Sequence, residues 1–484
     1  MSAVNESVAS LHPDQGSHRQ SRGVLPTDQA PSPTGKTSLT PGRSTPPTDQ
    51  APSPTDKTSP APGRASLPPG PRMPMLLQSA LTWSRTVSFF NANHRKYGSV
   101  FTIRSLPWGT AVIVNDTRLV KQIFTGDPAV YHAGEGNSLL APVLGERSVL
   151  VLDEDPHLQA RKRLLPPFHG DSVRRYGEIV ERIVLKDIAR WPTGSPFPLH
   201  PRMQAITLEV ILQAVIGVTD PVRLCALRET LPAAVPTDPT LMAMWVVSPL
   251  EYVGRWRRFR RTVERANRLL REEIAARRTD PDLEQREDVL SQLVRAGEID
   301  DEELRDQIMT LLLAGHETTA TGLAWTFERL LRHPQALARA REGEDAYLDA
   351  VVQETLRIRP VIPAVLRQLK APIELGDWQL PAGVTLIPAI MLMHHDPALF
   401  PEPKRFRPER FLEDGAASTY TWIPFGGGRR RCLGAAFASF EMRVALRTIL
   451  QNTTLRPDRA AGERTRNHHI TLIPARGTSV VREA

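Results

Sequence analysis

Residues Phe425 to Ala436 read FGGGRRRCLGAA and open directly into the amphipathic run AAFASFEMRVALRTILQ. The loop holds Cys432, one of two cysteines in the 484 residues. A cysteine at a helix N-terminus, flanked by Arg429, Arg430 and Arg431, sits where its thiolate is favoured and can bind a soft metal. Gly426, Gly427 and Gly428 permit positive φ and let the backbone approach a flat cofactor closely. A buried cysteine at a glycine turn is the commoner fate of a lone cysteine, so spacing has to decide. Phe425, Gly428, Arg430, Cys432 and Gly434 fit Phe-x-x-Gly-x-Arg-x-Cys-x-Gly. At average amino-acid usage that pattern arises by chance in a chain of this length roughly once in ten thousand cases.

Composition narrows the setting. Hydrophobic residues make up 40% and charged residues 24% of the chain, as in ordinary globular proteins. Cys225, in an apolar helical pattern, and Cys432 cannot build a disulfide framework, which points to a reducing cytoplasm. No run approaches 18 uninterrupted apolar residues, so no transmembrane anchor is expected. The N-terminus MSAVNESVASLHPDQ lacks an apolar signal core, and no secretion is expected. The net charge of +8 lies mostly beyond the first 72 residues, which carry seven Lys/Arg against five Asp/Glu. No basic stripe interleaved with aromatics accompanies it, so nucleic acid is not an expected partner. An acidic protein is compatible with the charge.

Residues 1–66 are rich in Pro, Ser and Thr and carry a near-identical repeat, PTDQAPSPTGKTS from Pro26 and PTDQAPSPTDKTS from Pro47, at a spacing of 21. Two aromatic-free, proline-rich units cannot bury a core, so this reads as a disordered or polyproline-like tail. Order is expected from about residue 67: a helix over Gln78 to Tyr97, then a hairpin in SVFTIRSLPWGTAVIVND. Mostly helical periodicity follows to Ile216. The apolar segment LMAMWVVSPLEYVGRW, residues 241–256, reads as core, a lid over a pocket, or a membrane-touching patch. A basic helix is predicted from Arg255 to Arg278. The longest helical pattern runs from Asp301 to Arg332, roughly 48 Å, and stops at His333-Pro334. Another spans Glu344 to Arg359, ahead of Pro360, and short strands follow in RQLKAPIELGDWQLPAGVTLIPAI. The pattern is mainly α with minor β and lacks a βαβ rhythm.

Three constellations carry chemistry. In AGHETT (Ala314 to Thr319), Gly315 costs about 1 kcal/mol in a helix interior, and a flat ligand pressed against the helix would offset it. Thr318 can bond back to the carbonyl of Ala314 and open the helix locally, with Glu317 beside it. An acid next to a hydroxyl in an apolar groove is what proton delivery to bound oxygen needs, although a polar break in a buried helix reads the same way. His316 has no partner ligand at i+4 and is not expected to hold a metal. In ETLRIRP, Glu354 and Arg357 stand at i and i+3, and Arg410 of FRPERF can complete a buried Glu–Arg–Arg network with a structural role. Glu-x-x-Arg also occurs at Glu302, Glu402 and Glu463, so the spacing alone says little. His157 and Arg161, one turn apart in DPHLQARKRLL, can join Arg367 and Arg430 to bind a pair of carboxylates.

The order of these pieces, His157/Arg161, AGHETT, ETLR, PERF and the cysteine loop, resembles the cytochrome P-450 family over roughly residue 67 to the C-terminus. The resemblance implies a single heme domain, residues 67–484, built around a long central helix with small peripheral β-sheets. It implies heme b bound through a cysteine thiolate, with Cys432 as axial ligand whose electron donation favours O–O cleavage. Phe425 would pack near the sulfur, and Gly434 would let backbone N–H groups reach it. His157, Arg161, Arg367 and Arg430 would hold the heme propionates. Glu317 and Thr318 would relay protons, Glu354, Arg357 and Arg410 would lock the core, and residues 241–256 would form a lid. The activity implied is a monooxygenase inserting one atom of O2 into a lipophilic substrate. No flavin-binding or iron–sulfur pattern adjoins the domain, so electrons would come from a separate donor such as a ferredoxin with its reductase, docking on Arg161, Lys162, Arg163, Arg429 and Arg431. The alternatives are a peroxide-driven peroxygenase, whose relatives typically lack the acid–threonine pair, and a non-catalytic heme-binding sensor.

Overall fold

The longest apolar pattern becomes one helix, Asp301–Leu330, of 30 residues. The sequence writes its start locally: the Asp300 carboxylate accepts from the Glu303 N–H at 2.9 Å, and Asp301, Glu302 and Glu303 lie at the positive end of the helix dipole. From Leu304 onward it is buried on nearly every side, which makes it the axis of the fold. Trp325 is fully buried and its Nε1 donates to the Leu472 carbonyl at 2.8 Å, so truncating it should cost about 3–5 kcal/mol. Helices His200–Val210, Arg255–Arg278, Asp345–Ile358 and Ala435–Asn452 pack against this axis.

The computed structural model describes residues 67–168, 174–234, 254–413, 415, 418–468 and 470–484. The repeat-bearing tail, residues 1–66, and most of the expected lid, residues 241–253, lie outside the described residues. The stretch read as one helix over Gln78 to Tyr97 is two, Met75–Ser84 and Thr86–Tyr97. Arg85 leaves helical geometry between them (φ −137°, ψ 38°), flanked by Ser84 and Thr86 hydroxyls that bond back to the carbonyls of Ala80 and Thr82. Cys225 is exposed on helix Pro221–Ala234, and its apolar surroundings in sequence do not bury it.

The largest sheet has five strands. Val100–Ser105 pairs antiparallel with Gly109–Val114, which pairs parallel with Thr385–Pro388. Arg367–Leu369 joins the latter antiparallel, and Tyr131–His132 closes the far edge. Two two-stranded ribbons and a three-stranded sheet complete the β structure among the described residues, where the strands are short and the helices dominate. The sheet matters for the site because it delivers Arg367 at the head of its strand, 6% exposed. Among the described residues no helix is long and apolar enough to cross a membrane.

Candidate active site

The Cys432 loop closes on itself, the Cys432 N–H donating to the Phe425 carbonyl at 2.9 Å. Gly426 (φ 67°) and Gly428 (φ 64°) adopt left-handed geometry, whereas Gly427 is extended. A Cβ on Gly427 would fall 2.2 Å from the Phe124 ring, and one on Gly428 would fall 1.9 Å from the Phe124 carbonyl oxygen. Gly427 and Gly428 therefore let the loop approach Phe124, at the end of helix Thr117–Thr125, closely. Phe124 in turn lies 5.6 Å beneath the Arg367 guanidinium. Phe425 packs edge-on against Trp422.

Cys432 sits deep in the protein yet keeps an accessible face. Burial pushes its thiol up, while the Gly434 N–H bonded to the sulfur and the Arg161 and Arg431 charges pull it down. Burial wins, so the loop by itself does not favour the thiolate as expected, and a cation at the sulfur is what would restore it.

Four cationic or titratable side chains from three parts of the chain converge beside this loop. His157 and Arg161 come from helix Glu154–Leu164, Arg367 from the sheet and Arg430 from the turn Gly428–Arg430. His157 is driven down to about 3, first by burial and then by Arg430, Arg161 and Arg367, so its imidazole is neutral. Burial lowers Arg367 and Arg430 to about 10 each, with Asp153 opposing. Arg430 donates to the Asp153 carboxylate and to the carbonyls of Leu152 and Val149. Asp153 also accepts from the N–H groups of Ala133, Gly134 and Glu135, so its one charge is already heavily shared. His157, Arg367, Arg430 and Phe124 line one cleft of about 230 Å³. Arg161 acts on both Cys432 and His157, tying the cleft to the sulfur.

Across the site, the central helix runs through Ala314–Thr319 without opening, although Thr318 Oγ1 does donate to the Ala314 carbonyl at 2.7 Å. Leu311, Ala314, Gly315 and Thr318 form a stripe that stays accessible in the middle of a helix where, Leu313 apart, the neighbouring positions are buried. A Cβ on Gly315 would fall 2.5 Å from Ile211 Cδ1, in the π-helical turn Ile211–Ile216, so the glycine is packed closely on that side. Glu317 is 9% exposed and accepts from Gln204. Burial alone would raise it, but His468, Gln204, His200 and His316 outweigh burial and hold its carboxyl below the ordinary range. His316 is buried with Nδ1 3.0 Å from the Leu312 carbonyl, and no cluster of metal-ligating side chains exists among the described residues.

The sequence profile of the cytochrome P-450 family matches residues 66–480. The chain belongs to the cytochrome P-450 family. It is 46% identical to the protein named cytochrome P-450 135B1 of Mycobacterium tuberculosis, across 86% of this chain and 91% of that one. With cytochrome P-450 135A1 of the same species the identity is 40%, across 85% and 94%. Among solved structures, CYP175A1 from Thermus thermophilus superposes with a TM-score of 0.70 at 26% identity, covering 86% of this chain and 99% of that one. A cyanobacterial CYP120A1 shares the fold with a TM-score of 0.77 at 24% identity, over 87% of this chain and 100% of that one. P-450 membership makes the protein a heme monooxygenase, with heme b held by a cysteine thiolate, O2 as co-substrate and electrons from a redox partner. The residues present fit that group: an accessible sulfur at depth, buried cations in excess of their one shared carboxylate, and an open stripe on the central helix.

Behind the loop, this P-450 chain carries its most buried ion network. Glu354 accepts from Arg357 Nε at 2.7 Å and Nη2 at 2.9 Å, from Arg410 Nε at 3.2 Å and from the Arg407 N–H at 2.9 Å. Glu354 and Arg357 are 0% and Arg410 4% exposed. Arg357 Nη1 also donates to the His394 carbonyl at 2.7 Å, and His394 Nε2 accepts from the Ile423 N–H at 2.9 Å, joining the network to the approach of the cysteine loop. Phe124, Asp153, Gln204, His200 and His468 complete the site and escaped the sequence reading. Only Asp153 left a signal, as the residue before helix Glu154–Leu164, and even there its carboxylate turns to Arg430 instead of capping.

Proposed function

We propose that Cys432 would hold the heme iron through its sulfur and that the enzyme inserts one oxygen atom into a lipophilic substrate lodged along Leu311, Ala314 and Thr318. The observation that carries this reading is Arg161, which links the accessible sulfur to the cluster of His157, Arg367 and Arg430. Those four side chains would hold the two propionates by charge-assisted bonds, with neutral His157 donating an N–H. Bound heme supplies the iron at which dioxygen is reduced and cleaved. The protein's part begins at Gly434, whose N–H donates to the sulfur and tempers its charge. Phe425 shields that sulfur from water. Thr318 trades its bond to the Ala314 carbonyl for one to the reacting oxygen, and Glu317 supplies the proton that the hydroxyl passes on. An acid–hydroxyl pair midway along the central helix favours monooxygenation over the peroxide-driven alternative. Glu354, Arg357 and Arg410 act as scaffold. Residues 67–484 form the catalytic domain, preceded by the repeat-bearing tail.

Electrons enter from an acidic ferredoxin-like donor, on a smaller basic face than the sequence implies. Lys162, Arg429 and Arg431 are exposed, whereas Arg161 turns inward toward Cys432 and Arg163 is engaged by Glu303. The test is spectroscopic. Cys432→Ala is expected to lose the strongly red-shifted Soret band of the ferrous carbonyl complex, and retention of that band would refute the ligand assignment. Screening lipophilic compounds for ferric spin shifts then identifies the substrate class.

A further inference from the structure

We propose that His200 and His468 are the proton donors that recharge Glu317, with His468 the member that exchanges with water. The inference rests on the monooxygenase reading above and extends it to two residues outside its motifs. Three elements converge on the carboxylate: helix His200–Val210, strand Thr465–His468 and the central helix. Gln204 fixes Oε2. Both imidazoles address the other oxygen, His468 Nδ1 at 3.7 Å and His200 Nε2 at 3.9 Å from Oε1, and Oε1 has no ordinary hydrogen bond. His200 Nε2 also lies 3.0 Å from Thr321 Oγ1, which fixes its ring.

Exposure sets the direction of flow. The side chain of His200 is 7% exposed and that of Glu317 11%, whereas that of His468 is 24% exposed and can recover a proton from water. Burial, His468 and Arg466 together outweigh Glu317 and lower His200, so it takes up a proton only transiently, and His316, on the helix of Glu317, also acts on the carboxylate. In the transfer, an imidazolium N–H bond breaks and an O–H bond forms at Oε1. An ion pair becomes a neutral acid beside a neutral imidazole, and no redox partner is involved. The protonated side chain, free of its ionic attraction, can then rotate about its own torsions toward the Thr318 hydroxyl one residue on. A lone buried carboxylate would give up its proton once, whereas one flanked by two imidazoles can be refilled within each cycle.

The test has a structural and a kinetic arm, both on holoenzyme. Imidazole titrations by NMR in the diamagnetic ferrous carbonyl form are compared between wild type and Glu317→Gln. Loss of a carboxylate that raises His200 is expected to lower the His200 midpoint. A midpoint unmoved in the variant would overturn the proposal. In the kinetic arm, oxygen uptake by substrate-free holoenzyme is driven by a surrogate ferredoxin and its reductase. His468→Gln and His200→Gln are expected to slow it severalfold and to change its dependence on pH, with heme content and the carbonyl Soret band unchanged. Wild-type rates and pH profile in both variants would overturn the proposal as well. Failure of the underlying reading shows separately, as retention of the carbonyl band in Cys432→Ala.

Discussion

Glu354→Ala offers the sharpest test of how burial converts a common sequence pattern into structure. The wild-type carboxylate satisfies two guanidinium groups and a backbone N–H, all in an environment from which water is excluded. Truncation leaves Arg357 and Arg410 charged with no carboxylate to face. Breaking one buried pair costs about 3–5 kcal/mol, and two stranded cations place the loss toward the upper end. Against a total stability of about 5–15 kcal/mol, that is a third or more of the margin. Glu402→Ala supplies the control, since Glu402 and Arg405 have the same spacing and lie 3.2 Å apart, but their side chains are 62% and 64% exposed. Solvent screening holds that loss to about 1 kcal/mol or less. Urea unfolding followed by far-UV circular dichroism, with heme content measured alongside, reads both variants. Glu354→Gln keeps the shape without the charge and is expected to fall between them. If Glu354→Ala matched Glu402→Ala to within about 1 kcal/mol, the reasoning from burial would be refuted.

Two further outcomes follow from the same geometry. Thr318→Ala removes only a hydroxyl whose resting partner is the Ala314 carbonyl, so heme and substrate binding should survive while reductant is diverted to peroxide; product per reductant equal to wild type would exclude the hydroxyl from proton delivery. His394, buried against Arg357, has its pKa lowered to about 3 from the ordinary 6.5, and its ring must stay neutral to accept from Ile423. The unfolded chain takes up that proton first as pH falls. The His394 contribution is therefore intact above about 6.5 and lost between there and about 3, at up to ~1.4 kcal/mol per pH unit. His394→Gln should flatten that part of the stability–pH curve by one proton, and an unchanged slope would contradict the assignment.

What the sequence exposes and what it hides follow from the range of the forces involved. The Cys432 loop is legible because five residues within ten positions constrain one turn, and Glu354 with Arg357 because one helical turn brings them together. The boundaries of the central helix are legible because Asp300 and Pro334 act on their own neighbours. The close packing of Gly315 on Ile211 Cδ1 is hidden because Ile211 comes from a distant stretch of chain. The same holds for Gly427 and Gly428, whose small size serves Phe124. Asp153 and the histidines around Glu317 carry no periodicity or motif; only tertiary packing makes them neighbours. The four copies of Glu-x-x-Arg make the point from the other side: spacing is common to all, Glu463 is buried as well, but only at Glu354 is the arginine buried with its glutamate.

The electrostatics of the site also bear on how the heme, the fold and the thiolate depend on one another. Burial raises the Cys432 thiol away from its functional thiolate and lowers Arg367 and Arg430 to about 10, which leaves both charged near neutral pH but costly to keep so without a counter-charge. A heme carries both missing counter-charges, the metal for the sulfur and two carboxylates for the cations. Binding it relieves desolvation on the two sides of the loop at once, and that free energy counts toward the folded state because the unfolded chain presents no such arrangement. Stability and cofactor retention in this P-450 are therefore linked through Arg161, which touches both halves electrostatically. A substitution there loosens the sulfur and the propionate cluster together, whereas one at Arg367 acts on the cluster alone.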